Sequence, residues 1–290
     1  MRSAWRVVRG TRRGKGVTMP RIPVGDIQLY YEEAGAGEPL LFLHGLGSSM
    51  RDWAQQVEAF AGRYRVITVD ARGHGQSDKP PGPYSIPQMA ADVAGLLERL
   101  DVPAAHVVGL SMGGMMAFQL AVDAPERVKS LTIVNSAPEM IPRTVREKMQ
   151  IWSRELIVRL LGMRKMGEIL ADRLLPGAEH ADLRQTFIER WAENDKRAYL
   201  ASFRALVGWS VAGRLGEIRC PALVIAAEHD YTPVALKEAY VAQMPDARLV
   251  VIPNSRHATP VERPDAFNEA LASFLAEVTA GAENVNSGQG

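Results

Sequence analysis

The sequence has a single cysteine, Cys220, so no intramolecular disulfide can form. A chain of 290 residues, 47% hydrophobic and 23% charged, does not need one. At that length folding buries most of the surface that the unfolded chain exposes. One free thiol suits a reducing compartment, and the expected location is the cytoplasm. Cys220 precedes Pro221 and an apolar run with no activating partner nearby, and reads as a buried bystander. No apolar stretch approaches eighteen residues, so no membrane span is expected. There is no His-Glu-x-x-His and no cysteine cluster, so neither metal nor cofactor is expected. No internal repeat stands out.

Net charge is also scarce, at +1. That figure hides an asymmetry. Arg2, Arg6, Arg9, Arg12, Arg13 and Lys15 crowd the first eighteen residues, where there is no acid. The rest of the chain is therefore mildly acidic, which gives no case for nucleic-acid binding. The basic head lacks the apolar core of a secretory signal, since Arg6 interrupts Trp5 to Val8. Arg12-Arg13 is followed by Gly14-Lys15-Gly16-Val17-Thr18, where a twin-arginine signal would turn apolar. Gly10 to Lys15 is one residue short of a phosphate-binding loop. Residues 1–20 read as a disordered basic tail, with Met19 as a candidate start.

Short apolar runs recur through the body: Ile27–Tyr31, Leu40–Leu43, Tyr64–Val69, His106–Val108, Val128–Val134, Ala222–Ala226 and Arg248–Ile252. Apolar runs without alternation suit strands buried on both faces, as in a parallel sheet. Helical patterns separate them: Trp53–Phe60, Ile86–Leu100, Met112–Ala124, Ala235–Gln243 and Pro264–Glu277. The alternation predicts a doubly wound α/β domain with a mostly parallel sheet, built from residues 21–138 and 214–279. Residues 139–213 hold no convincing strand and are expected to form a helical cap inserted into that domain. Residues 280–290 are expected to be a frayed tail.

Chemistry concentrates at the ends of these strands. Gly109-Leu110-Ser111-Met112-Gly113-Gly114 follows one strand and opens a helix, the context of a nucleophile elbow. So tight a turn needs small residues on either side of the serine. It lifts the Ser111 hydroxyl above the sheet, with a helix N-terminus behind it to favour negative charge. A serine hydroxyl needs a base. His257 lies just after the last strand, where chain order in such folds places the base, and the acid belongs after the strand before it. Asp230 stands there, with Glu228 and His229 as rivals; Pro233, three residues on, favours Asp230. Two backbone donors would hold an oxyanion: Met112 N–H, and Leu46 N–H in the loop His44-Gly45-Leu46-Gly47. His44 precedes that donor and reads as a loop brace rather than a base.

Taken together, residues 22–278 resemble the α/β-hydrolase superfamily. The likeness is carried by His44-Gly45-Leu46-Gly47, by Asp70 through Asp78, by Gly109 to Gly114, by the Asp230 segment, and by His257 with Glu262-Arg263-Pro264. It implies Ser111, Asp230 and His257 as a triad, with Leu46 and Met112 as oxyanion donors. It also implies that Asp70 to Asp78 is a structural loop below the site. Ala227 stands where relatives usually carry glycine, which makes the presentation of Asp230 a point to check. In style the chain is similar to small-molecule esterases, enol-lactonases and cofactor-free perhydrolases.

The cap's apolar side chains are expected to divide between packing the cap and lining a largely apolar pocket. Trp152, Leu156 and Trp191 are the candidate substrate contacts. The cap is also rich in arginine, including Arg154, Arg173, Arg190 and Arg204; any one pointing inward would select an acidic substrate. The expected activity is hydrolysis of a carboxylic ester of a small, largely apolar molecule through an acyl-enzyme. Carbon–carbon hydrolysis or enol-lactone opening on the same triad is the alternative, and a non-catalytic ligand-binding protein is the rival of another class. The expected partner is a small-molecule substrate, with neither nucleic acid nor membrane, and the chain is expected to be a monomer or homodimer.

Overall fold

The computed structural model describes residues 20–287, with side chains described as far as residue 281. The basic head therefore lies outside the described residues, apart from Pro20. Eight strands form one sheet: β1 (Arg21–Val24), β2 (Ile27–Ala34), β3 (Glu38–Leu43), β4 (Tyr64–Val69), β5 (Ala105–Leu110), β6 (Val128–Val134), β7 (Ala222–Ala227) and β8 (Ala247–Ile252). Their order is β1-β2-β4-β3-β5-β6-β7-β8. The β1–β2 and β2–β4 pairs are antiparallel; every later pair is parallel. The expected doubly wound α/β architecture is present. β1 is an addition, formed where Gly25 takes a positive φ of 55° and turns the chain into β2.

Both faces of the sheet are covered, which is why the central strands read as unbroken apolar runs. Leu41, Val107, Leu131 and Val224 face α2 (Ile86–Arg99) and α3 (Met112–Asp123). Leu40, Val108, Val134 and Ile225 face α1 (Ala54–Phe60) and α9 (Pro264–Ser287), which the short α8 (Thr259–Glu262) precedes. α2 shows how local signals fix an element. Ser85 Oγ accepts the Gln88 N–H at 3.2 Å, Pro87 sits in the first turn, and Ile86, Met89, Val93, Leu96 and Leu97 form the buried stripe. α9 runs on to Ser287, so residues 280–287 continue a helix where composition suggested a frayed tail. Phe267, Leu271, Phe274 and Leu275 bury its first turns, and the remainder propagates from that anchor.

Between β6 and β7 the chain is helical: α4 (Val145–Leu174), α5 (Ala181–Ala192) and α6 (Lys196–Leu206). This is the cap insertion. α4 opens with a capping box between Thr144 and Glu147 and is broken at Gly162, whose φ is 81°. Val158, Met163, Met166, Trp191, Tyr199 and Phe203 form the cap's own core. Val145, Met149, Trp152 and Leu160 lie on its outer face, all more than half exposed. Among the described residues, no helix is long and apolar enough to cross a membrane.

Candidate active site

The C-terminal ends of β3, β5, β6, β7 and β8 converge beneath the cap. Ser111, directly after β5, has φ 54° and ψ −114°, a region that non-glycine residues avoid. Holding it there costs roughly 1–3 kcal/mol. The surrounding glycines make the turn possible. A Cβ on Gly109 would lie 2.2 Å from the Gly113 carbonyl oxygen, and one on Gly113 would lie 2.2 Å from that of Leu43. The turn is pinned by Ser111 N–H donating to Val134 O at 3.0 Å and Ser136 Oγ donating to Ser111 O at 2.7 Å. The Ser111 side chain therefore stands at the N-terminus of α3.

The loop after β3 runs alongside. A Cβ on Gly45 would sit 3.5 Å from Ser111 Cβ, so the backbone carrying Leu46 closely flanks the serine. Among the described residues, the Leu46 N–H makes no backbone hydrogen bond, and Met112 heads α3, where no intrahelical partner exists. His44 braces this loop: Nδ1 is 2.8 Å from Gly45 O, and Nε2 accepts the Ala71 N–H at 3.0 Å. Asp70 ties the next loop to the first, accepting N–H groups from Met50 at 2.8 Å and Gln76 at 2.7 Å. The segment from Asp70 to Asp78 is thus a structural support.

Asp230 and His257 meet across β7 and β8, with His257 Nδ1 2.8 Å from Asp230 Oδ1. The Asp230 side chain is fully buried and is shared with the equally buried ammonium of Lys237, 2.9 Å away. Burial by itself would raise this carboxyl, but the hydrogen bond and charge of His257, with those of Lys237, outweigh it and hold it at about 2. It is a carboxylate at neutral pH and can only accept, so in the neutral ring Nδ1 carries the proton and Nε2 is a bare acceptor. Glu228 is occupied elsewhere, accepting the Asn254 N–H at 2.8 Å. Ala227 needs no glycine: its φ is not positive, and its N–H donates to Asn135 Oδ1 at 2.7 Å.

His257 Nε2 does not meet Ser111 directly. Among the described residues its partner is Tyr231, whose hydroxyl is 2.5 Å away and whose ring stacks on the imidazole at 4.1 Å between centroids. Burial of that hydroxyl, followed by the charge of Asp230, pushes the phenol well above its ordinary value, so it stays protonated and donates to Nε2. Ser111 is close enough to bias the same phenol by hydrogen bonding. Tyr231 thus stands in the space between alcohol and imidazole. It belongs to a surface loop, however, and is 44% exposed, so rotation outward disturbs no core.

Three residues of this site carry no signal in the sequence reading: Tyr231, Lys237 and Asn135. Lys237 had one available, since it follows Asp230 by seven positions on α7 (Val234–Val241), whereas Tyr231 adjoins Asp230 with nothing to say which way its side chain turns. Asn135 directly follows β6, the remaining strand end beside the site, and its amide offers no carboxylate to mark it. The pocket residues divide. Trp191 is buried and lines a cavity of about 350 Å³ together with Gly47, Leu110 and Ala258. Trp152 does not: it is 64% exposed on the outer face of α4. Leu156 lines neither this cavity nor a second of about 680 Å³ between the cap and α7. Both belong to a stretch of α4 whose apolar periodicity leaves open which stripe faces inward. Among the described residues, no group of three or more His, Cys, Asp or Glu side chains is arranged to hold a metal ion.

The family model described as "alpha/beta hydrolase fold" matches residues 38–156. The chain is 36% identical over 275 residues to "Putative carbamate hydrolase RutD" of Azorhizobium caulinodans, covering 90% of this chain and 99% of that protein. It is 32% identical over 257 residues to "3-oxoadipate enol-lactonase 2" of Acinetobacter baylyi, covering 86% and 94%. Among solved structures, the enol-lactonase of Burkholderia xenovorans LB400 superposes with a TM-score of 0.83 at 27% identity, covering 89% of this chain and all of that one. With this sheet, this cap and these relatives, the chain belongs to the α/β-hydrolase family of hydrolytic enzymes.

Proposed function

We propose that the protein is a serine hydrolase cleaving a carboxylic ester of a small, mostly apolar molecule through an acyl-enzyme. The observation that carries the reading is the Asp230–His257 pair poised beside a serine on a strained elbow. With Tyr231 turned outward, Ser111 attacks the ester carbonyl and His257 Nε2 takes its proton. The oxyanion is met by the N–H groups of Leu46 and Met112. His257 then protonates the departing alcohol, and a water repeats the sequence to free Ser111. Asp230 holds the imidazole tautomer and stabilises the imidazolium, a role that suits a carboxylate still ionised well below neutral pH.

Fluorophosphonate labelling followed by a p-nitrophenyl ester panel tests this. Labelling should fall on Ser111, and Ser111→Ala should cut kcat by about 10⁶-fold. Most activity surviving in that variant would overturn the assignment. The similarity to enol-lactonases supports a second reading, in which the ester is cyclic and its leaving oxygen stays tethered. An enol-lactone assayed beside open-chain esters separates the two by kcat/KM.

A further inference from the structure

The second cavity, about 680 Å³, reaches the candidate active site through one side chain. Arg173 lies in its wall, and the Arg173 guanidinium sits 5.1 Å from the centroid of the Tyr231 ring. The Tyr231 hydroxyl in turn touches His257 Nε2. Most of the wall is apolar, including Met140, Ile157, Met166 and Leu170. A second guanidinium interrupts it. Arg154 Nε donates to Tyr199 Oη at 2.8 Å, and its Cζ lies 5.0 Å from the Phe203 ring centroid, so this half-buried cation is held in place.

Of the other cap arginines, Arg146, Arg164 and Arg197 are exposed and line neither cavity, and the rest are paired. Arg159 and Arg204 pair with Glu155, Arg184 with Asp172, and Arg190 with Asp52. In the cavity wall itself Arg143 pairs with Glu139, and Glu147 is taken up by the capping box of α4. Among the described residues no carboxylate lies within 4.0 Å of Arg154 or Arg173. Both nonetheless act on the same Tyr231 phenol, favouring its ionised form. Two cations in the wall of one largely apolar cavity repel each other, more weakly on the side of Arg173, which is exposed to water, than around the half-buried Arg154. An anion entering between them relieves that repulsion.

We propose that Arg154 and Arg173 hold a carboxylate of the substrate, so that the preferred ester is a monoanion with its ester carbonyl at Ser111. This rests on the serine-hydrolase reading above. The guanidinium of Arg173 and the reacting nitrogen of His257 are separated by one phenol ring and one hydrogen bond. The half-ester of a short dicarboxylic acid covers that span. Planar guanidinium groups suit a carboxylate, which can accept two N–H donors side by side. Such an anion also draws Arg173 away from the Tyr231 ring, so binding and release of the phenol favour each other.

Two measurements test this. Mono-p-nitrophenyl glutarate and p-nitrophenyl pentanoate differ chiefly in a terminal carboxylate, and kcat/KM should favour the glutarate ester by about ten-fold or more. Arg154→Gln and Arg173→Gln should each collapse that ratio, chiefly through KM of the anionic ester. Calorimetry with free glutarate reads the subsite without catalysis: glutarate should bind, neutral glutaramide should not, and each substitution should weaken glutarate by about ten-fold. If both esters react equally and glutarate fails to bind, the subsite falls and the hydrolase stands. If neither ester reacts and Ser111 resists fluorophosphonate, the hydrolase reading falls, and glutarate binding alone decides the subsite.

Discussion

Tyr231 donates to the one nitrogen that a serine nucleophile needs. A phenol kept protonated by its surroundings competes with Ser111 for Nε2 as long as it stays in place. A hydrogen bond of this kind contributes about 0.5–1.5 kcal/mol net, which is roughly a two- to ten-fold brake on a step requiring a free imidazole. Tyr231→Phe keeps the ring that stacks on His257 and removes only the competing hydroxyl. The expected outcome is that fluorophosphonate labels Ser111 two- to ten-fold faster, by that same hydrogen-bond energy. A fall of similar size would instead mean that the phenol passes the serine proton on to the imidazole. The positions of Ser111, Asp230 and His257 could be read from the sequence because each sits in a fixed place after a strand. Tyr231 could not: adjacency to Asp230 says nothing of the direction its side chain takes, which the Asp230–Pro233 turn decides.

Among the elements, β6 supplies no reacting group, yet the residue directly after it joins the two loops proposed to do so. Asn135, with φ 44°, donates through Nδ2 to His257 O at 3.0 Å and Thr259 Oγ1 at 2.8 Å. Its Oδ1 accepts the Ala227 N–H at the end of β7. One buried amide thus fixes the separation of the Asp230 and His257 loops. Asn135→Ala leaves the Ala227 N–H and the His257 carbonyl without these partners, at about 1–3 kcal/mol each, and places alanine where asparagine tolerates the left-handed backbone better. The expected outcome is a lower urea midpoint together with a kcat loss greater than any change in KM. A stability loss with kcat untouched would deny Asn135 a part in positioning His257. The same element shows what a sequence pattern can carry. The strands β5, β6 and β7 announce themselves because helices cover both faces and every position is apolar. The first half of α4 announces nothing so definite. Val145, Met149, Trp152 and Leu160 make a stripe as regular as any core stripe and face outward, while Arg154 on another face lines the cavity. Periodicity identifies a helix there, but only packing against the neighbouring cap helices α5 and α6 selects its inner side.

At the scale of the molecule, the site is closed by two bodies, the sheet and the cap, and their contact governs access. The ion pairs joining them, Arg51–Glu193 and Arg190–Asp52, are partly solvated, and such pairs contribute about 0–1 kcal/mol. The apolar contact is larger. The buried indole of Trp191 rests on Gly47, in the loop proposed to bind the oxyanion, and Asn194 Nδ2 adds a hydrogen bond to Gly47 O at 2.8 Å. A Cβ at Gly47 would lie 2.7 Å from the outer edge of that indole, and Gly47 itself has φ 73°. Gly47→Ala therefore combines backbone strain of about 1 kcal/mol with a clash that pushes the cap away from the oxyanion loop. Trp191→Phe removes the outer ring and relieves the clash, but leaves the strain. If this contact couples cap position to catalysis, the double variant should recover part of the kcat/KM lost in Gly47→Ala. The interaction energy should be about 1 kcal/mol, within the range for residues in direct contact. Strict additivity of the two losses would show that the cap rests on the oxyanion loop without helping to hold its shape.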